Sequence, residues 1–335
     1  FYTDQILGIM RDMADSLQRK DLPEVNYRLL QLAKTPFKKK SKPSPLDEAQ
    51  SLMGILDKVM YHVIPSLHAQ MVQEVFPGQE EGLRVPGIIE LGFWPGGDRD
   101  GNPYVDAGTT LQVAQMLKTR VLGLYLEDIK ALKSRLTFEG VLELLGAMEE
   151  KVAKTLLGSQ LFLPEQMARL GNYLTKPLQG DEYQNPGELL EDLIHLRRVL
   201  ERDHQGLFTP LIEELIFKVQ SFGFHFAILD VRQDSRIHGA VFQTLLPILA
   251  KETGLELTAS SYDALGEEDR IPTLVKLRSK LGSLALAPKE ALFKASLQAL
   301  DDKVLKDVLE SMRAIKSIQR TNGKNSLHRY IVNNS

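Results

Sequence analysis

Gly87-Ile88-Ile89-Glu90-Leu91-Gly92-Phe93-Trp94-Pro95-Gly96-Gly97-Asp98-Arg99-Asp100-Gly101-Asn102-Pro103 is the stretch on which the reading of this chain turns. Residues 87–93 are apolar and partly β-branched, which predicts a short buried strand. Residues 94–103 change character. Their glycines admit positive φ and close approach to the backbone, and a proline near either end limits how far the segment can wander. A helical spacing of apolar residues over 109–133 follows. Strand, loop, helix is the order of a βα unit, whose functional groups gather on the loop beyond the carboxyl end of the strand.

In that loop one arginine, Arg99, stands between Asp98 and Asp100. A guanidinium matches the oxygens of a phosphate or carboxylate in two parallel hydrogen bonds, and the flanking carboxylates are expected to hold its side chain in one orientation. A tight turn with a surface Arg–Asp pair is the plainer alternative. A calcium loop of the EF-hand kind does not fit, because Gly101 follows Asp100 directly and position 107 is Ala rather than part of the required acidic pattern. The lone tryptophan, Trp94, is expected to pack under the loop.

A second segment repeats the arrangement. Phe224–Val231 reads as another strand, in which His225 simply alternates, and it runs into Asp230-Val231-Arg232-Gln233-Asp234-Ser235-Arg236. Alternation places Asp230 and Arg232 on one face, and Asp234 or Ser235 is positioned to cap the helix that follows. The βα loops at 94–103 and 230–236 are therefore the candidate functional loops.

Outward from these loops the chain is dominated by helical spacing, near 3–19, 138–156, 187–203, 209–221, 235–252, 268–280 and 290–319. A stripe of Leu52, Ile55, Val59, Met60, Val63, Leu67, Met71 and Val75 predicts one more helix, kinked at Pro65. Ser44 is a candidate N-cap with Pro45 in the first turn. Breakers fall at Thr35–Pro45, Pro77-Gly78 and Lys176–Pro186, and Lys38-Lys39-Lys40-Ser41-Lys42 reads as a solvated loop. The expected organisation is a helical segment over 1–80, then 81–335 carrying both βα loops with helical insertions.

With 335 residues, 43% hydrophobic and 25% charged, the chain has the composition of a globular protein rather than a collagen-like or disordered one. Forty-one basic against 44 acidic side chains leave a net charge of −3, so no global field attracts nucleic acid or anionic membrane. The absence of cysteine excludes disulfides, thiolate metal sites and a cysteine nucleophile. Seven histidines show no metal-binding pair at helical spacing, and neither a Gly-x-Ser-x-Gly elbow nor a phosphate-loop fingerprint occurs. Position 1 is Phe with no basic-apolar leader behind it, which reads as a cut in a longer chain.

Gly96-Gly97-Asp98-Arg99-Asp100-Gly101-Asn102-Pro103 resembles the signature of the phosphoenolpyruvate carboxylase family. Phe222–Ser235 is similar to that family's strand ending in Leu-Asp-x-Arg-Gln-Glu/Asp-Ser. Lys42–Ala49 and Arg329-Tyr330-Ile331-Val332 are weaker likenesses in the right order. The resemblance implies a mainly helical chain with a few strands, part of a (β/α)8 barrel with many extra helices. It implies a carboxy-lyase that joins bicarbonate to phosphoenolpyruvate with Mg2+ or Mn2+, giving oxaloacetate and phosphate, in a cytoplasmic and homo-oligomeric parent. Arg99 would hold the phosphorylated substrate, while Gly96, Gly97, Asp98, Asp100, Asn102, Arg232 and Gln233 would bind or support it.

The resemblance also has gaps. The family's Thr-Ala-His-Pro-Thr motif, its metal-binding carboxylates and its Gly-Arg-Gly-Gly loop have no match here, so no metal is expected to bind and no turnover is expected from these residues alone. Phe93-Trp94-Pro95 stands where Ser-Trp-Met is more usual. A helical anion-binding module without catalysis is the alternative.

Overall fold

The structure, a computed structural model, describes residues 3–36, 43–79, 84–160 and 182–333. The basic run at 38–42 and most of the 176–186 breaker lie outside the described residues. Helices α1 (Thr3–Gln18) and α2 (Leu22–Lys34) pack on each other. Helix α3 (Pro45–Ile55) begins at a capping box in which Ser44 and Asp47 satisfy each other's backbone N–H groups. It continues through a π-helical turn, Leu56–Met60, into α4 (Tyr61–Val75).

Strand β1 (Gly92–Phe93) is followed by α5 (Ala107–Arg135), α6 (Val141–Gln160), α7 (Pro186–Asp203) and α8 (Thr209–Phe222). Strand β2 (Ile228–Asp234) is followed by α9 (Ser235–Thr253), α10 (Ala259–Asp263), α11 (Glu267–Ser283), α12 (Leu286–Ala299) and α13 (Lys303–Asn322). A 3-10 turn then leads into β3 (Arg329–Asn333).

The molecule is mainly helical with a small parallel sheet in the order β1-β2-β3. Parallel neighbours need long crossovers, and the two helical blocks supply them. Gly92 pairs with Ile228, and Asp230 through Asp234 pair with Arg329 through Asn333. Alternation along β2 buries Leu229, Val231 and Gln233 on one face and leaves Asp230, Arg232 and Asp234 half-exposed on the other.

The main core joins α3–α8 to the buried face of the sheet around Tyr61, Leu117, Val121, Tyr125, Leu193 and Phe222. The two buried tyrosine hydroxyls inside it are satisfied: Tyr125 donates to the Gly223 carbonyl at 2.8 Å, and Tyr61 donates to Asp128 at 2.7 Å. A smaller cluster of Val241, Leu245, Leu300 and Val308 joins α9 to α13. Helix α13 also lies along α5, where Asn322 donates to the Ala114 carbonyl at 3.0 Å and Lys118 to that of Thr321. Burial lowers the Lys118 pKa to about 8.

Three expectations are corrected here. The strand expected over 224–231 starts at Ile228 and extends to Asp234. Residues 222–226 instead form a tight turn, with Phe226 N–H donating to the Phe222 carbonyl at 2.9 Å and Phe226 at a φ of 61°. Burial of the Phe226 ring against Phe222 and Tyr61 accompanies this unfavourable backbone, and it places His225 in a turn rather than a strand. Because β2 starts late, 87–91 have no strand beside them, and β1 shrinks to Gly92–Phe93.

The third correction concerns the stripe. Ile55, Val59, Val63, Leu67, Met71 and Val75 are 43–68% exposed, while Leu56, Tyr61, Ile64, His68 and Val72 are buried. A straight count at 3.6 residues per turn carries Ala49 and Met53 onward to the wrong positions. Ile55, ahead of the turn, lies off the face of Ala49 and Met53, and beyond it the π turn inserts one extra residue and moves the buried face by about 100°. The helix continues through Pro65, and the π turn precedes it.

Candidate active site

Pairing between β1 and β2 breaks at Trp94 and resumes at Asp98, which bridges to Arg232. Between them the chain turns, Gly97 N–H donating to the Trp94 carbonyl at 2.9 Å, and Gly96 sits at a φ of 80°. Gly97 then lies against β2: Arg232 N–H donates to its carbonyl at 2.8 Å, and a Cβ at Gly97 would overlap the Asp230 carbonyl oxygen. Arg99 N–H donates to the Arg232 carbonyl at 3.3 Å, so the two arginines leave neighbouring backbones at one end of the sheet. Asn102 closes the loop by donating its N–H to the Asp98 carbonyl at 3.0 Å, and Asp106 caps α5 through the Thr109 N–H at 2.8 Å.

Arg99 is 8% exposed. Its Nε donates to Asp307 Oδ2 at 2.9 Å and its Nη2 to Thr110 Oγ1 at 2.8 Å, whereas Nη1 is buried without a partner among the described residues. The flanking aspartates do not hold it. The chain turns at residues 99–101, with the Asn102 N–H on the Asp98 carbonyl, and the two aspartates are engaged by other partners. Asp98 lies 3.7 Å from Arg232, and Asp100 accepts from Asn333. Burial raises the Asp98 pKa, reinforced by its hydrogen bond with Asp100 and opposed by the Arg232 charge. Asn102 Oδ1 accepts from the Tyr104 N–H at 3.2 Å.

Arg232 is half-exposed, but its Nε is buried and has no partner among the described residues. Gln233 points to the opposite, buried face and accepts from the Asp234 N–H at 2.9 Å, so it supports the strand end. Asp230 pairs with Arg329 at 3.8 Å rather than with Arg232, and Arg329 in turn reaches Glu90 at 2.7 Å. Asp234 caps α9 as expected, through the Arg236 N–H at 2.8 Å. Trp94 does not pack under the loop; it is 43% exposed and donates to Glu48 at 3.3 Å.

Sequence reading missed Thr110, Asp307 and Arg329. Thr110 stands four residues after the N-cap of α5, a spacing that brings it beneath the loop. Asp307 lies 208 residues from Arg99 and carries no local signal. Tyr330 packs close enough to Arg99 and Asp307 to feel both charges, and its hydroxyl lies 2.9 Å from His238 Nε2.

The sequence profile of phosphoenolpyruvate carboxylase matches residues 5–160 and 143–335. This chain belongs to the phosphoenolpyruvate carboxylase family. It is 28% identical to the phosphoenolpyruvate carboxylase of Gloeobacter violaceus over 372 aligned residues, covering 99% of this chain and 37% of that protein. It is 31% identical to the Xanthomonas campestris enzyme over 218 residues, 59% of this chain and 24% of that protein. With the Rhodopseudomonas palustris enzyme it shares 27% identity over 271 residues, 75% of this chain and 28% of that protein. The chain thus spans little more than a third of the longest-matched of these relatives.

The divalent metal of phosphoenolpyruvate carboxylases needs converging oxygen ligands. Among the described residues no three or more acidic or histidine side chains converge for such an ion. Asp98 and Asp100 face Arg232 and Asn333 instead, so these residues do not fit the metal by themselves. No helix among the described residues is long and apolar enough to cross a membrane.

Proposed function

We propose that this chain forms the substrate-phosphate side of a phosphoenolpyruvate carboxylase, with Arg99 as the anion-holding group and Arg232 in support. The observation that carries this reading is the buried Arg99 Nη1, which has no acceptor among the described residues. Burying the N–H groups of a cation without an acceptor costs about 1–3 kcal/mol or more, a cost that a phosphate oxygen removes. Arg232 Nε, on the neighbouring backbone, is a second such donor.

In this reading Gly97 lets the loop lie flat on β2, Gly96 turns it, and Asp98 braces Arg232. Asp100 and Asn102 fix the far end of the loop. Bicarbonate attack on the phosphate of phosphoenolpyruvate gives carboxyphosphate and an enolate, and each species concentrates negative charge. Fixed guanidinium groups stabilise such charge without reorganising. The three parallel strands form part of the (β/α)8 barrel of the whole enzyme. The metal and the proton-transferring histidine belong to the rest of that enzyme, so this chain binds the substrate without turning it over.

Trp94, the single tryptophan and five residues from Arg99, reports on the loop. Phosphoenolpyruvate is expected to quench its fluorescence saturably, Arg99→Ala is expected to abolish the response, and no oxaloacetate should form in the same samples. Equal responses to sulfate and citrate would favour a general anion-binding module. A response that survives Arg99→Ala would overturn the assignment.

A further inference from the structure

The geometry points to Asp307, acting with Thr110, as the positioning pair that aims the Arg99 guanidinium from a helix 208 residues away in the chain. This inference rests on the reading of Arg99 as the anion-holding group for its functional meaning, though not for its first test.

Asp307 sits in the second turn of α13, and both of its carboxylate oxygens are engaged. Oδ2 accepts from Arg99 Nε at 2.9 Å and from Ser311 Oγ at 3.2 Å, and Oδ1 accepts from the Ala107 backbone N–H at 2.6 Å. A carboxylate tied to the first residue of α5 cannot swing, so it fixes where Nε points. Thr110 fixes the other edge of the guanidinium. Its hydroxyl has a single proton, and the carbonyls of Gly96 at 2.5 Å and Asp106 at 3.1 Å can only accept it. Toward Arg99 Nη2 the hydroxyl must therefore act as an acceptor. With Nε and one N–H of Nη2 so occupied, the planar guanidinium has one orientation, and Nη1 is the nitrogen left without an acceptor among the described residues.

The arrangement also explains why α13 docks along α5. The contacts of Asn322 with Ala114 and of Lys118 with Thr321 hold the C-terminal end of α13 against the N-terminal half of α5, and Asp307 ties the start of α13 to the first residue of α5. Asparagine at 307 is nearly isosteric but has one acceptor oxygen, so it can serve Arg99 Nε or Ala107 N–H, not both.

The test is read first without ligand. In a 1H–15N spectrum of the 335-residue chain, the Arg99 Nε–H resonance, identified by its loss in Arg99→Lys, is expected to exchange slowly with water. Asp307→Asn should accelerate that exchange at least tenfold or broaden the signal away. An unchanged Arg99 signal in folded Asp307→Asn would overturn the proposal.

Should that variant not fold, Thr110→Val and Thr110→Ser decide: Ser should retain the slow exchange and Val should lose it, and identical spectra for the two would contradict the pairing. Phosphoenolpyruvate titration is the second readout. Displacement of a positioned group by a fraction of an ångström to 1 Å weakens its action by ten- to a hundredfold, so Thr110→Val should bind at least tenfold more weakly than Thr110→Ser. If wild type binds no phosphoenolpyruvate while the Nε–H effect stands, the functional reading falls and the positioning role survives.

Discussion

Gly97 is the residue on which the candidate site depends most simply, because any side chain there meets the Asp230 carbonyl. Gly97→Ala must push the loop off β2 and break the Arg232 N–H bond to the Gly97 carbonyl. Such backbone displacement is expected to destabilise by about 2–4 kcal/mol, read as a fall in the urea midpoint with an unchanged slope. At this scale the sequence singled out Arg99 as the candidate, a lone cation among glycines and aspartates. It did not disclose what holds Arg99. Asp98 and Asp100 are adjacent in sequence but engage Arg232 and Asn333 across the turn, and the partner of Arg99, Asp307, is brought close only by the packing of α13 on α5.

Among the elements, the helices were legible from their apolar period, and Ser44 and Asp234 were legible as caps because capping is a local interaction. The face of α4 was not, because the π turn at Leu56–Met60 shifts the period by one residue without a local signal. The start of β2 was hidden for a different reason: long-range burial of the Phe226 ring accompanies a backbone conformation that its own residue type disfavours.

That turn has a pH consequence. Burial, aided by the nearby charge of His328, lowers the His225 pKa to about 4. The folded pKa lies below the unfolded value near 6.5, so the unfolded chain binds the extra proton. Stability is full above about pH 6.5 and falls as the pH drops toward 4. Between pH 7 and 4.5 the loss assigned to His225 is on the order of 2 kcal/mol, and His225→Gln should flatten that part of the profile in urea melts at the two pH values. Equal pH dependence in both proteins would contradict the assignment.

For the whole molecule, the two crossovers and the parallel sheet put the β1 and β2 loops side by side. Residues far apart in sequence, Gly97 with Arg232 and Arg99 with Asp307, thereby become one site. Two βα units could be read from strand, loop and helix order, but the third strand, β3, was visible only by family likeness, because Arg329-Tyr330-Ile331-Val332-Asn333 is too short and too polar to stand out. In the proposed function the Arg99 and Arg232 donors face a phosphate. A crystal structure of this chain soaked with phosphoenolpyruvate reads this out: a phosphate oxygen about 3 Å from Arg99 Nη1, with the bonds to Asp307 and Thr110 intact, is the expected result, and phosphate bound elsewhere with Arg99 Nη1 still unpartnered would contradict it.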